Sequence, residues 1–309
     1  MQLKQALTAA VEHLERSDCG SPRMNAETLM MFVLGVNRAY LYAHPERELT
    51  NEEHERYDDV VQQRASGIPS QYITGHQESW GLDFVVSPAV LIPRPETEHL
   101  VETVLELARE VPQPRIVDVG TGTGCIALAL AHELSRAEVY AVDLSAEALE
   151  IARANAARLQ LDACLKFLRC DVLAPLDNPA PSVILSEEAR EDGPTSRRSP
   201  LSGTTFRDFD FVVSNPPYVG HNEVDKVQRS VFEYEPRMAV FAGEHGLDVI
   251  RPLIEQAHTA LKAGGWLAME IGYSMRDEVL ELLSPTLWDE PMVVPDLQGI
   301  PRVIAAQKR

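Results

Sequence analysis

The feature that most restricts the fold is a regular alternation of helix-like and strand-like segments from Val101 onward. Short runs rich in Val, Ile and Phe are typical of buried strands, and the segments between them carry apolar residues at helical spacing. This alternation predicts an α/β fold in which a mostly parallel sheet has helices on both faces. The predicted strands cover residues 115–119, 138–142, 165–168, 209–214, 265–271, 292–294 and 303–306, the last two as an antiparallel closing pair. The predicted helices run from the glycine loop to Ala131, from Ser145 to about residue 159 and over 247–261.

The N-terminal part of the chain predicts helices without strands. Apolar residues repeat at helical spacing from Leu3 to Leu14. Asn25 is expected to cap a second helix, and Thr50 a third that ends near Ala65. Consecutive helices predict a small bundle. The chain is therefore divided into a helical domain (1–75), a connector (76–98) and an α/β domain (99–309).

The connector is predicted to begin with a hairpin whose strands are 84–86 and 90–92, turning at Ser87-Pro88. The segment from Ile92 to Glu98 reads Ile-Pro-Arg-Pro-Glu-Thr-Glu. Each proline restricts the residue before it, so this segment predicts a stiff link into the next helix. A second irregular segment, residues 177–205, is rich in Pro, Ser and charge, and it predicts a flexible insertion between two strands.

Composition argues against several classes of function. A formal net charge of −19 over 309 residues disfavours direct binding to nucleic acid. The four cysteines form no CxxC pair and no metal-binding spacing, so we expect reduced thiols and no metal site. Neither a signal peptide nor an apolar run of membrane-spanning length is present in the sequence. We expect a cytoplasmic protein, without membrane contact and monomeric.

A glycine loop follows the first predicted strand of the α/β part. Residues Gly120, Thr121, Gly122, Thr123 and Gly124 allow close approach of a ligand to the backbone at the start of a helix. In a shifted frame the loop also fits the dinucleotide fingerprint, so by itself it is ambiguous.

Carboxylates at the strand ends extend this pattern. Asp143 is suitably placed for the hydroxyls of a ribose and Asp171 for the amine of an adenine. Asp118 adds a carboxylate that we expect at the mouth of the loop, which favours a cationic amino-acid end over a pyrophosphate. S-adenosylmethionine combines these groups.

The tetrapeptide Asn215-Pro216-Pro217-Tyr218 follows the strand 209–214. Prolines supply no N–H and stiffen the chain, which leaves the Asn215 side-chain oxygen and the carbonyls of Asn215 and Pro216 as acceptors. With the Tyr218 ring beside them, they suit a planar –NH2 group. We interpret Asn215, Pro216 and Tyr218 as catalytic and the tetrapeptide as the substrate-binding segment, although many Pro-Pro pairs are simple turns.

Together these motifs resemble the bacterial protein-(glutamine-N5) methyltransferases that modify class-I peptide chain release factors. The resemblance rests on Asp118-Val-Gly-Thr-Gly-Thr-Gly124, Asn215-Pro-Pro-Tyr218, the Ile92–Glu98 segment, Gln71-Tyr-Ile-Thr-Gly75, and Glu235-Pro236 with Gly246-Leu247. It implies a seven-stranded Rossmann-like class I methyltransferase sheet and an N-terminal bundle that docks the release factor.

The resemblance also implies a substrate and a set of contacts. The substrate would be the glutamine of the factor's Gly-Gly-Gln loop. The cofactor would contact the glycine loop, Asp143, Val172 and Asn215. Some members of the family carry a tryptophan at the position of Val172.

Three other functions remain open at the level of sequence. A nucleic-acid adenine-N6 or cytosine-N4 methyltransferase would use the same –NH2 geometry on a flipped base. The acidity of this chain argues against that function. A dinucleotide-dependent oxidoreductase would leave Asn215–Tyr218 unexplained. A cofactor-binding scaffold without turnover would require a biochemical test.

Overall fold

The structure is a computed structural model that describes residues 1–175 and 206–309. The predicted insertion at 177–205 lies outside the described residues. Within the described ranges, no helix combines the length and the apolar character needed to span a membrane.

The N-terminal region consists of helices packed around a core of their own, which includes Leu3, Leu14, Leu29, Met30 and Tyr57. These helices are α1 (Leu3–Arg16), α2 (Pro22–Leu34), α3 (Arg38–Ala43), α4 (Asn51–Ala65) and α5 (Ser70–Thr74). The predicted helix from Leu3 is confirmed, and so is the helix capped by Thr50, whose hydroxyl accepts a hydrogen bond from the backbone N–H of Glu53.

The prediction that Asn25 caps the second helix is wrong. The helix α2 begins at Pro22, because proline favours the first helical position and Ser21 precedes it as the N-cap. Asn25 lies inside the helix and is buried, where its Nδ2 donates to the carbonyl of Gly20 and its Oδ1 accepts from Arg64.

The predicted hairpin of the connector is also wrong in its placement. The strands β1 (His76–Ser79) and β2 (Leu82–Val85) pair antiparallel around Trp80-Gly81. Both turn residues have positive φ, 54° and 68°, as the tight hairpin turn requires. Residues 90–92 form no strand, and the flanking prolines lack the N–H groups that a ladder needs.

The α/β part follows the predicted alternation of helix and strand, including the closing antiparallel pair. Its helices are α6 (Thr97–Leu107), α7 (Cys125–Glu133), α8 (Ala146–Arg158), α9 (Arg229–Tyr234), α10 (Arg237–Val240), α11 (Ile250–Ala260) and α12 (Arg276–Leu282). Its strands are β3 (Arg115–Val119), β4 (Glu138–Asp143), β5 (Leu165–Asp171), β6 (Ala174–Pro175), β7 (Phe209–Ser214), β8 (Leu261–Glu270), β9 (Met292–Pro295) and β10 (Pro301–Gln307).

The main sheet has the strand order β6-β5-β4-β3-β7-β8-β10-β9. The central run from β5 to β8 is parallel, whereas β10 and β9 pair antiparallel at one edge and the two-residue β6 at the other. The seven longer strands confirm the predicted seven-stranded sheet, and β6 adds a short eighth strand.

Buried cores lie on both faces of this sheet. Helix α11 packs on one face through Ile250 and Leu253, together with Val119 of β3. Helices α6 and α7 pack on the other face through Leu100 and Ala127. Because β3 continues outward to β4 and β5 while the chain later returns to β7 on its other side, the strand order reverses between β3 and β7. Open α/β sheets bind their ligands at the carboxyl ends of the strands at this point.

Candidate active site

The glycine loop joins the end of β3 to the start of α7. The backbone N–H groups of Gly120 and Thr121 both donate to the carbonyl of Val142 at 2.9 Å, which ties the loop to β4. Gly120, Gly122 and Gly124 have φ of 72°, 54° and 83°. A Cβ on Gly120 would meet no atom within 4 Å, so the space beside the loop is open for a ligand.

Asp143 lies at the carboxyl end of β4 and supports the loop from behind. Its Oδ2 accepts a hydrogen bond from the N–H of Gly122 at 2.9 Å, and its Oδ1 accepts one from Ser145 at 2.9 Å. Burial raises the pKa of this carboxyl, although hydrogen bonds from backbone N–H groups oppose the shift. Each carboxylate oxygen keeps a second acceptor position, so Asp143 can still receive hydroxyl groups.

Asp118 lies beneath the glycine loop and is fully buried, so the expectation of a carboxylate at the loop mouth is wrong. Its Oδ2 accepts from the hydroxyl of Thr121 at 2.6 Å and from the N–H of Ala127 at 3.2 Å. Burial raises the pKa of this carboxyl to about 7. Asp118 therefore ties the loop to α7 rather than facing a ligand directly.

Asp171 and Val172 lie at the end of β5, on the next strand outward. Asp171 is exposed and Val172 is half-buried against the core. Val172 has a φ of 55°, which is costly for a β-branched residue, and it turns the chain into β6. The backbone at Val172 is thus held in a strained turn at the same edge of the sheet as Asp143.

The tetrapeptide Asn215–Tyr218 directly follows β7. Val119 of β3 pairs in parallel with Ser214 of β7, which brings Asn215 beside Gly120. Asn215 and the glycine loop, 91 or more positions apart in the chain, therefore meet at the switch point of the sheet.

Two buried side chains outside the predicted set contact the tetrapeptide. Thr97, at the start of α6, accepts a hydrogen bond from Nδ2 of Asn215 at 3.0 Å. Glu270, the last residue of β8, accepts from the hydroxyl of Thr97 at 2.8 Å and from that of Tyr218 at 3.2 Å. Only Thr97 carries a signal in the sequence, because it belongs to the proline-rich segment Ile92–Glu98, which predicts a stiff link.

That segment is more than a link, since it forms one wall of the site. Arg94 forms an ion pair with Glu235, whose side chain is almost fully buried, and Glu235 also accepts from the N–H of Ile92. Gly246 lies against the tetrapeptide, and a Cβ there would collide with the carbonyl oxygen of Tyr218.

A cavity of about 420 Å³ opens beside the tetrapeptide. The residues lining it include Asn215, Pro216, Pro217, Tyr218, Glu270 and Arg302. Among the described residues, no cluster of His, Cys, Asp and Glu suited to a metal ion was found. The cavity combines hydrogen-bond acceptors, an aromatic ring and a buried carboxylate.

A sheet of this strand order, with a glycine loop after its first central strand and an acceptor-rich loop after the fourth, defines a methyltransferase of the class I fold. S-adenosylmethionine is the methyl donor of this enzyme. A family model described as the PrmC N-terminal domain matches residues 5–75, and one described as a methyltransferase domain matches residues 111–192. The fold is shared with the hMettl16 catalytic domain solved with an RNA hairpin, at a TM-score of 0.52 and 17% identity over 80% of this chain and 81% of that chain.

Curated relatives are similar over the whole chain. The release factor glutamine methyltransferase of Koribacter versatilis is 52% identical over 308 residues, covering 100% of this chain and 99% of the relative. Those of Moorella thermoacetica and Deinococcus radiodurans are 38% and 36% identical, each covering 100% of this chain and 99% of the relative. The chain belongs to the release factor glutamine methyltransferase family.

Proposed function

We propose that this protein methylates N5 of the glutamine in the Gly-Gly-Gln motif of class-I peptide chain release factors and thereby modulates translation termination. The observation that carries the proposal is the acceptor pair of Asn215 and Pro216, which borders a cavity and adjoins the glycine loop. Membership of the family supports the same substrate. We further propose that the protein acts in the cytoplasm as a monomer, without direct contact with nucleic acid or membrane.

The residues at the strand ends fit S-adenosylmethionine. The open space beside Gly120 admits the ligand, and the remaining acceptor positions of Asp143 suit the ribose hydroxyls. Asp171 would accept from the adenine amine, and the backbone of Val172 would line the base. The glycine loop from Gly120 to Gly124 would hold the amino-acid end, and Asn215 would lie between cofactor and substrate.

When bound, the cofactor supplies a methyl carbon activated by a positive sulfonium. An amide nitrogen is a weak nucleophile, because its lone pair is delocalised into the carbonyl. Oδ1 of Asn215 and the carbonyl of Pro216 would accept hydrogen bonds from both N–H groups of the substrate amide. These bonds would raise the electron density on the amide nitrogen and direct its lone pair toward the methyl carbon. Methyl transfer to this nitrogen would form an N–C bond, break the S–C bond of the cofactor and release one amide proton.

The other residues of the tetrapeptide restrict the geometry. Pro217 removes a backbone donor that would compete for the amide oxygen and fixes the local φ. The ring of Tyr218 offers a flat face on which a planar amide can lie. Burial raises the pKa of the Tyr218 phenol well above its ordinary value, so this residue stays neutral and acts by contact rather than as a base.

The test is a transfer assay with methyl-labelled S-adenosylmethionine. The substrates are a purified class-I release factor, the same factor with a Gln→Ala change in its Gly-Gly-Gln loop, and bulk RNA and DNA. Label on the unchanged factor alone is the expected result. Label on nucleic acid would reassign the chemistry to a base, and cofactor binding without label on any substrate would favour a scaffold.

A further inference from the structure

Asn215 of the tetrapeptide and two side chains behind it, Thr97 and Glu270, form a continuous hydrogen-bonded chain. Asn215 contacts Thr97, and Thr97 contacts Glu270. Thr97 is 4% exposed and Glu270 is 1% exposed. A buried carboxylate that borders a cavity and is bonded to two hydroxyl groups indicates a built arrangement rather than a surface contact.

The direction of each hydrogen bond in this chain is fixed by the carboxylate. An ionised carboxylate only accepts, so the single proton of the Thr97 hydroxyl is committed to Oε2 of Glu270. Thr97 therefore presents only lone pairs to Asn215. The NH2 group of the Asn215 amide must face Thr97, and its Oδ1 must face the other way.

None of the described residues donates a hydrogen bond to Oδ1 of Asn215, while Asn215 lines the cavity. With respect to the described part of the chain, this oxygen is available to accept from an incoming N–H group. If the Thr97 hydroxyl could donate toward Asn215, the amide could rotate by 180° and present its NH2 group to the substrate instead. Two donors would then face one another, and the substrate amide would lose its acceptor.

We propose that Thr97 and Glu270 are positioning residues for methyl transfer, which hold the Asn215 amide with its oxygen toward the substrate. This inference rests on the proposed function. The second carboxylate oxygen, Oε1, accepts from the hydroxyl of Tyr218, so one buried group orients both the acceptor and the ring of the tetrapeptide.

The ionisation of Glu270 gives this arrangement a pH dependence. Burial raises the pKa of Glu270 to about 7, hydrogen bonds from Thr97 and Tyr218 lower it, the nearby Glu96 raises it, and Arg302 lowers it. Arg94 lies on the same cavity wall. A protonated Glu270 carries a donor of its own, which releases the constraint on the Thr97 hydroxyl. The orienting effect is present above this pKa and is lost as the pH falls through it.

The test compares four variants with the unchanged enzyme. Thr97→Val removes the hydroxyl at nearly constant shape, and Thr97→Ser keeps it. Thr103→Val is the matched control, since Thr103 is also a buried threonine of α6 but donates only to the carbonyl of His99 within its own helix. Glu270→Gln replaces the carboxylate by a neutral group that can donate.

With release factor as substrate, we expect the kcat of Thr97→Val to fall roughly tenfold, because one orienting hydrogen bond is lost. Cofactor affinity and KM should stay within about twofold, and Thr97→Ser and Thr103→Val should remain near the unchanged enzyme. The kcat of the unchanged enzyme should decrease as the pH is lowered below about 7. The kcat of Glu270→Gln should be low at every pH and should not show this decrease. Equal kcat values for Thr97→Val and Thr103→Val would overturn the proposal, as would a loss that appears only in cofactor affinity.

A second measurement does not depend on the substrate. The side-chain NH2 signals of Asn215 in a ¹⁵N–¹H spectrum, assigned by their disappearance in Asn215→Asp, report its hydrogen bond directly. We expect them to shift in Thr97→Val and Glu270→Gln but not in Thr103→Val, and unchanged signals would refute the positioning role. If the unchanged enzyme methylates no release factor, the proposed function fails while this spectrum still decides the arrangement.

Discussion

At the scale of single residues, the proposed roles in cofactor binding and in substrate orientation fall on different side chains. Asp143 supports the glycine loop through Gly122, whereas Asn215 borders the cavity and is held by Thr97. The two side chains share no hydrogen bond among those of the described residues. Substitutions at these positions should therefore affect different kinetic quantities.

Asn215→Ala removes one proposed acceptor of the substrate amide. We expect methyl transfer to fall by about 100-fold or more, because an oriented acceptor acts mainly in the transition state. The cofactor dissociation constant should change by no more than a few-fold. Single-turnover transfer and calorimetric titration with S-adenosylmethionine provide the two readings, and unchanged turnover would contradict the role.

Asp143→Ala should have the opposite profile. Loss of the proposed acceptor for the ribose hydroxyls should weaken cofactor binding by roughly tenfold to 100-fold. Turnover at saturating cofactor should change less than affinity. An unchanged dissociation constant, measured by the same titration, would remove Asp143 from the cofactor site.

Asp118 gives a prediction for stability. Its pKa is raised to about 7 from an ordinary value of 3.8, so between these values the folded state binds more protons than the unfolded state. The contribution of Asp118 to stability is therefore present at low pH and is lost as the pH rises through 7. Asp118→Asn should lessen that loss, so its stability relative to the unchanged protein should improve by roughly 2 to 4 kcal/mol between pH 4 and pH 8. Urea unfolding at both pH values tests this, and a difference independent of pH would contradict it.

At the scale of elements, the site depends on the close approach of two loops. The tetrapeptide after β7 runs against the segment that precedes α11, and Gly246 is the point of contact. The backbone N–H of Val219 donates to the carbonyl of Val240, and the N–H of Ala242 donates to the carbonyl of Val219, at 3.0 Å each. Arg94 lines the cavity beside the loop and is held there by its ion pair with the buried Glu235.

Gly246→Ala should disturb this frame. Gly246 has a φ of 77°, and a Cβ would displace the backbone at Tyr218, so we expect a lower kcat and reduced stability. Gly299→Ala is the matched control, because its φ of 80° imposes similar backbone strain while its Cβ would meet no atom within 4 Å. Thermal unfolding and methyl transfer of both variants separate strain from collision. Equal losses of activity in the two variants would show that the close approach is unimportant.

At the scale of the whole molecule, the net charge of −19 bears on the encounter with the substrate. A release factor acts among RNA and can present a basic surface, so an acidic enzyme would be steered toward it. We expect kcat/KM for the intact factor to fall as salt rises, because added salt screens charges over distances beyond about 10 Å.

A short uncharged peptide containing Gly-Gly-Gln is the control for this prediction. Its kcat/KM should change little with salt, since no extended charge is steered. Initial rates at several salt concentrations give both profiles. A kcat/KM for the intact factor that is constant or rises with salt would exclude electrostatic steering.

Much of the fold was predictable because its signals are local. Burial on both faces gives β3, β4 and β7 their apolar runs, and Thr50 marks its helix by capping chemistry. The hairpin was misplaced because its turn, Trp80-Gly81, lacks the usual Asn or Asp before glycine and the apolar run just after it was more conspicuous. Asn25 was misassigned because a buried polar residue within a helix has the same sequence signature as a cap.

The sequence by itself determined the class of sheet, the glycine loop and the tetrapeptide, because each is specified by residues that are neighbours in the chain. Only the tertiary structure decided how the tetrapeptide is held. Thr97 lies 118 positions from Asn215 and 173 from Glu270, and these residues meet because α6 packs against β8 at the edge where β7 ends. Tertiary packing likewise put Asp118 beneath the loop rather than at its mouth. Such contacts follow from the strand order and from the packing of helices on the sheet. Because this packing buries surfaces that are far apart in the sequence, no local sequence pattern encodes the contacts.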